Sequence, residues 1–124
     1  MKFKFESLHI WQKSIEIGDC IDNITKTFPK HGLYSLSDQV KRASNSISLN
    51  LAKGCDIESS KQYLLFLNHA TRSLYELLSV LIIARRRGYL SDQLYQKTND
   101  ELFLLKNMLL SYRKYIQKTN PGTK

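Results

Sequence analysis

The groups with which this 124-residue chain could hold a metal or move a proton are three histidines, two cysteines and eleven carboxylates. Their spacing argues against both tasks. His9, His31 and His69 stand in no H-x-x-x-H pair, and the one E-x-x-H, Glu6 to His9, has no second copy to complete a ligand set, so no di-iron or zinc site is expected. Cys20 and Cys55 are far apart and outside any C-x-x-C pattern, which reads as two ordinary thiols in a reducing compartment. Serines abound, yet no G-x-S-x-G elbow is present, and spacing assigns no histidine and carboxylate to any one of them. No strand precedes a glycine-rich phosphate loop. The chain is therefore read as a non-enzyme without a cofactor.

What remains is electrostatic chemistry. Nineteen Lys and Arg against eleven Asp and Glu give a net charge of +8, which suits an acidic partner, nucleic acid above all. No acid follows Glu101, whereas Lys106, Arg113, Lys114, Lys118 and Lys124 do, and Arg85-Arg86-Arg87 form a second cluster. The candidate phosphate contacts are Arg85, Arg86, Arg87, Arg113, Lys114 and Lys118. The alternative is that these cations complement helix dipoles and aid solubility. In "SYRKYIQK" the rings of Tyr112 and Tyr115 interleave with cations and could stack on bases, although Tyr112 also falls on a core stripe. No specific base readout is expected.

A second polar pattern lies within Gln39 to Gly54, where Arg42, Ser46, Asn50 and Lys53 follow i, i+4 and i+3 steps beside the apolar Val40, Ala43, Ile47 and Leu51. Serine and asparagine are mediocre helix formers, so a merely solvated face gains nothing from them. Small side chains let helix backbones approach, and Arg42 and Asn50 can hydrogen-bond across an interface, so this helix reads as an interface element. Glu76 sits inside "SLYELLSVLIIA", where an unpaired carboxylate would be costly to bury. Arg72, Arg42 or Lys53 are its expected partners in a register-fixing ion pair, with a catalytic acid as the other reading.

Four helices must position these groups, because apolar residues recur at helical intervals and strand-like alternation is absent. The first carries Leu8, Trp11, Ile15, Gly18, Ile21, Ile24 and Phe28 on one stripe and stops at Pro29. A loop over residues 29–34 contains Gly32. The second helix is expected to open at Ser35, with Asp38 at capping-box spacing, and to close on Gly54 as a left-handed cap. The third runs to Gly88 with Tyr63, Leu67, Ala70, Leu74, Leu77, Leu81 and Ala84 at heptad steps. Leu64, Thr71, Tyr75, Leu78 and Ile82 lie one position further round, more apolar surface than one bundle needs, so another chain is expected to cover part of it. Ser91 caps the fourth, Leu90 staples it, and its stripe is Leu94, Thr98, Leu102, Leu105, Leu109, Tyr112 and Ile116. Short connections make this an all-α, up-down-up-down four-helix bundle over residues 1–118, with 119–124 a frayed tail. The opening "MKFKFESLHIWQ" lacks a signal-peptide core, and the longest apolar stretch, around Leu77 to Ala84, is far short of a membrane span, so a cytoplasmic location is expected.

Three segments, "FESLHIWQKSIEI", "TFPKHGLYSLSDQVKRASNSISLNLAKG" and "SSKQYLLFLNHATRSLYEL" with the later "GYL", resemble the four helix bundle proteins encoded by intervening sequences of bacterial 23S ribosomal RNA genes, often labelled ribosomal-protein-like. The similarity covers most of residues 5 to 90. It rests on Leu8, Trp11, Gln12 and Lys13; Phe28-Pro29; Leu36, Gln39, Arg42, Ala43, Ser46, Ile47, Asn50, Ala52 and Gly54; Tyr63, Phe66, Leu67, Ala70, Ser73, Leu74, Glu76 and Leu77; and Gly88-Tyr89-Leu90. One departure is Ala52-Lys53-Gly54, where the family pattern reads Ala-Glu-Gly. The resemblance implies an up-and-down bundle assembling into a ring-like homo-oligomer, a pentamer in relatives, with a basic surface. Accessory proteins of diversity-generating retroelements look like distant relatives, and those bind structured RNA and DNA and associate with a reverse transcriptase. The expected function is thus a non-enzymatic, oligomeric, nucleic-acid-binding accessory protein. The alternative is a protein-protein assembly module, for example a partner of a reverse transcriptase.

Overall fold

A computed structural model describes residues 2–29 and 34–119 of the chain. Residues 30–33, with His31 and the expected turn glycine Gly32, and the tail beyond Thr119 lie outside the described residues. A 3-10 turn, Lys4–Ser7, leads into α1 (His9–Thr25), followed by α2 (Tyr34–Cys55), α3 (Ser60–Arg86) and α4 (Asp92–Thr119). Among the described residues there is no strand.

Each helix packs on its chain neighbours, and α4 closes back on α1, so the four surround one core. Contacts fix the directions. Asp22 meets Lys41, and Gly18 meets Ser44; Ser46 meets Ser73, and Gly54 meets Phe66. Tyr63 meets Tyr112 and Arg85 meets Tyr95, while Lys13 meets Glu101. In each of the three chain-neighbour pairings the residue numbers run in opposite senses, which makes the bundle up-down-up-down. No helix among the described residues is long and apolar enough to cross a membrane.

The heptad reading of α3 holds at every position, since Tyr63, Leu67, Ala70, Leu74, Leu77, Leu81 and Ala84 are all buried. So does Val40, Ala43, Ile47 and Leu51 in α2. In α1 the expected stripe holds at Ile21, Ile24 and, just past the helix, Phe28, but its first half differs: Ile10 and Ile17 are buried, whereas Ile15 is exposed and Leu8 and Trp11 only pack at the edge. Ser14 takes a buried position because its hydroxyl donates to the Trp11 carbonyl at 2.6 Å, which removes the cost of burying it. In α4 the core residue is Tyr95, not Leu94, and Tyr112 is half-buried.

The ends of the helices correct two expectations about caps. Gly54 lies inside α2, which runs on to Cys55, and its role is close packing: a Cβ there would stand 2.9 Å from Phe66 Cβ and 3.1 Å from Tyr63 Cδ1. Ser35 likewise lies within α2. The left-handed glycine is Gly88, with φ +80, and the amides of Gly88 and Tyr89 donate to the carbonyls of Arg85 and Ala84 at 3.0 and 2.9 Å. That pair of bonds is the Schellman pattern, and it closes α3. Ser91 caps α4 as expected, accepting from the Leu94 amide at 3.1 Å, and Ser59 caps α3 by accepting from Gln62.

Candidate functional site

Of the residues expected at an interface, Ser46 meets α3 within this chain and Asn50 bonds back to Ser46 within α2. Ser46 Oγ and Ser73 Oγ are 2.8 Å apart, and Asn50 Nδ2 donates to the Ser46 carbonyl at 2.8 Å and to its hydroxyl at 3.1 Å. Serine at 46 and 73, with glycine at 54, leaves room for α2 and α3 to form the most extensive helix pairing in the bundle. On the other side of α2 the same economy recurs, since Ser44 is buried and lies 3.5 Å from the place a Cβ on Gly18 would occupy. The small polar residues of α2 are therefore spent largely on intramolecular approach.

Arg42 and Glu76 do not follow them. Both are exposed, and neither is in an ion pair among the described residues. The expected buried, register-fixing pair is absent because Glu76 lies about 200° round α3 from Leu74, facing water rather than the core. Lys53, another expected partner, is also exposed. His69 is half-buried with its ring edge-on to Phe66 at 6.1 Å.

The six expected phosphate contacts fall into two groups at opposite ends of the bundle. Arg85 is half-buried with its guanidinium 4.0 Å over the Tyr95 ring, and Arg86 and Arg87 are exposed beside it. Arg113, Lys114 and Lys118 sit at the other end, near the Tyr63–Tyr112 contact. At 1.5 Å per residue, the levels of Tyr95 and Tyr112 are about 26 Å apart along α4. Arg113 is half-buried, and its Nε is a buried donor without a hydrogen-bond partner. No arginine among the described residues makes an ion pair; the cations that do are Lys13, Lys26 and Lys41.

Between these ends lies the surface of α3 that carries Tyr75, expected from sequence to be covered by another chain; its counterpart on α4 was not singled out. Ser73 faces α2, and Tyr75, two residues on, is turned about 200° from it, past the side that meets α4 and out to solvent. On α4, Glu101 and Met108 face α1, so Phe103 and Leu110 are turned by the same angle, past the side that meets α3 and out to solvent. The contacts Tyr63–Tyr112 and Arg85–Tyr95 bracket the pairing, and interpolation between them sets Tyr75 level with Phe103. Tyr75 is 54% exposed, Phe103 57% and Leu110 42%, and Lys106 Nζ lies 4.1 Å over the Phe103 ring. The signal was available in sequence as the i, i+7 spacing of Phe103 and Leu110 with Lys106 between them.

Between α1 and α4 runs a groove of about 440 Å³ lined by Lys13, Ile17, Cys20, Leu94, Thr98 and Glu101. Lys13 and Glu101 are ion-paired across it, and the hydrogen bond to Glu101 raises the Lys13 pKa above its ordinary value. At the bundle end, the phenols of Tyr63 and Tyr112 are 2.8 Å apart, and burial first, then this bond, pushes the Tyr63 pKa strongly upward. Burial likewise raises the Cys55 thiol. Among the described residues no three His, Cys, Asp or Glu side chains come together as metal ligands.

This helix order, with its segments, is matched by the model of one protein family over residues 6–111. The chain belongs to the 23S rRNA-intervening sequence protein family. The family match takes in α1, α2, α3 and most of α4, and with them Arg42, Ser46, Asn50, Glu76 and Arg85 to Arg87. Arg113, Lys114 and Lys118 lie beyond it. A comparison with curated proteins returns no match.

Proposed function

We propose that this member of the intervening-sequence family is a non-enzymatic accessory protein of the cytoplasm that forms a ring-like homo-oligomer, with five copies favoured. It binds RNA or DNA through its basic surfaces without strong base readout. The observation that carries this reading is the state of the arginines: in a chain of net charge +8, none of those described is neutralised by an ion pair. Unpaired guanidiniums are the groups that displace counterions from a phosphate backbone and make affinity steeply salt-dependent. Because the two clusters stand at opposite ends of one bundle, a long ligand or neighbouring copies would engage both.

The exposed Leu49, Leu65 and Ile83 favour a second reading, an assembly module whose partner is another protein such as a reverse transcriptase. Sizing by light scattering, with and without structured RNA at low and moderate salt, separates the two. An oligomer that takes up RNA or DNA of unrelated sequence, with affinity falling steeply with salt, supports the accessory-protein reading. An oligomer that ignores nucleic acid at low salt rejects it in favour of the assembly module.

A further inference from the structure

We infer that the groove between α3 and α4 is a single-strand binding track in which Tyr75 and Phe103 stack unpaired bases while Arg86, Lys106 and Lys114 hold the phosphates. This rests on the nucleic-acid reading above and adds the ligand's form and the residues that read it. Both rings stand more than half exposed on either side of the α3–α4 seam, at the same level, and neither is stacked on another ring among the described residues. An aromatic face in water is a sequence-tolerant platform for a base, and duplex bases, already stacked on each other, cannot use it.

Charge chooses between a strand and an apolar protein segment as the occupant. Lys106 Nζ lies 4.1 Å over one face of the Phe103 ring, so a cation is already seated beside the ring, which suits an anionic strand and not an apolar segment. Arg86 lies toward one end of the groove and Lys114 toward the other, each about 16 Å of helix rise from the Tyr75–Phe103 level. Two acids lie nearby, fewer than the three cations Arg86, Lys106 and Lys114. Asp100 accepts from Gln96 at 2.9 Å, and Glu76, one residue beyond Tyr75, is turned about 100° further toward α2. Leu64, Leu78 and Ile82, on the same side of α3, are half-buried and packed against the core.

The test uses the full chain, a fluorescently labelled 20-nucleotide RNA of mixed sequence and the duplex of the same sequence. Both are titrated by anisotropy across a salt series. The variants are Tyr75→Ala with Phe103→Ala, and Tyr75→Phe as the conservative control. The double alanine variant is expected to weaken single-strand binding by roughly tenfold or more at an unchanged salt slope, because stacking contributes about five-fold or more per base. Duplex binding and Tyr75→Phe should be unaffected. Wild-type binding that the double variant retains in full would remove the groove while leaving the nucleic-acid reading intact; wild-type protein that binds neither probe would remove both. A fall in oligomer mass caused by the double variant, seen by light scattering, would overturn the proposal by assigning the rings to a subunit contact.

Discussion

The two flanks of α3 are built to opposite specifications. Toward α2 it presents Ser73 to Ser46 and lays Tyr63 and Phe66 against Gly54, small groups that let the helices close and leave little for a partner to contact. Past the side that meets α4 it presents Tyr75, across the seam from Phe103, Lys106 and Leu110, all large and much of their surface still in water. The contrast teaches that a stripe rich in serine and asparagine marks a seam already used by the fold. Aromatic and cationic residues left over on a helix mark surface still available.

The most severe way to break the tight seam is to fill it. Gly54→Val puts branched atoms where even a Cβ would be 2.9 Å from Phe66 Cβ, so α2 and α3 must part, and a loss of about 3 kcal/mol is expected in urea unfolding. On the open flank the same measurement on Tyr75→Ala or Phe103→Ala should change stability by no more than about 0.5 kcal/mol.

Alkali sharpens the contrast at the bundle end. The Tyr63 pKa is raised from its ordinary 10.0 by burial and by Tyr112, and Lys13 from its ordinary 10.5 by Glu101. Folded protein keeps both protons at a pH where the unfolded chain releases them. Their contribution is therefore present below pH 10 and is lost as pH rises through the folded values, with Tyr63 contributing about 1.4 kcal/mol per pH unit once past its unfolded value. Thermal unfolding at pH 9 and pH 11 should show this fall, and Tyr63→Phe should make it shallower.

A smaller effect follows from the polar contact in the tight seam. Ser46→Ala removes the Ser73 partner and one Asn50 contact, and a loss of about 1 kcal/mol is expected. The smallest stability change belongs to Arg86→Gln and Arg87→Gln, exposed and outside any ion pair. These should leave urea unfolding unchanged while each lowers the salt slope of nucleic-acid binding by about 1.

The sequence made α3 legible residue by residue because its stripe is unbroken Leu, Ala and Tyr at heptad steps. It misplaced the first half of the α1 stripe because isoleucines stand on several sides of that helix and a buried serine occupies a core position, while Ile21, Ile24 and Phe28 fall where expected. Gly54 and Gly88 look alike in a linear reading, each following a helical run. Only the approach of Phe66 and Tyr63 to one, and the positive φ of the other, tells packing from capping. Glu76 looked buried because its neighbours in sequence are apolar, yet the phase of the helix turns it outward. The Lys13–Glu101 and Tyr63–Tyr112 contacts join distant positions and leave no local signal.

The Schellman turn at Gly88, followed directly by the Ser91 cap, ties α3 and α4 into a hairpin made of contacts close along the chain. The closure of α1 on α4, by contrast, waits on residues from nearly opposite ends of the sequence. Local contacts cost less loop entropy and form early, so the hairpin is the natural nucleus and the α1–α4 groove the last part to shut and the first to open. A nascent or partly unfolded chain would thus present the Tyr75–Phe103 flank before its bundle is complete, and amide exchange should run fastest along α1.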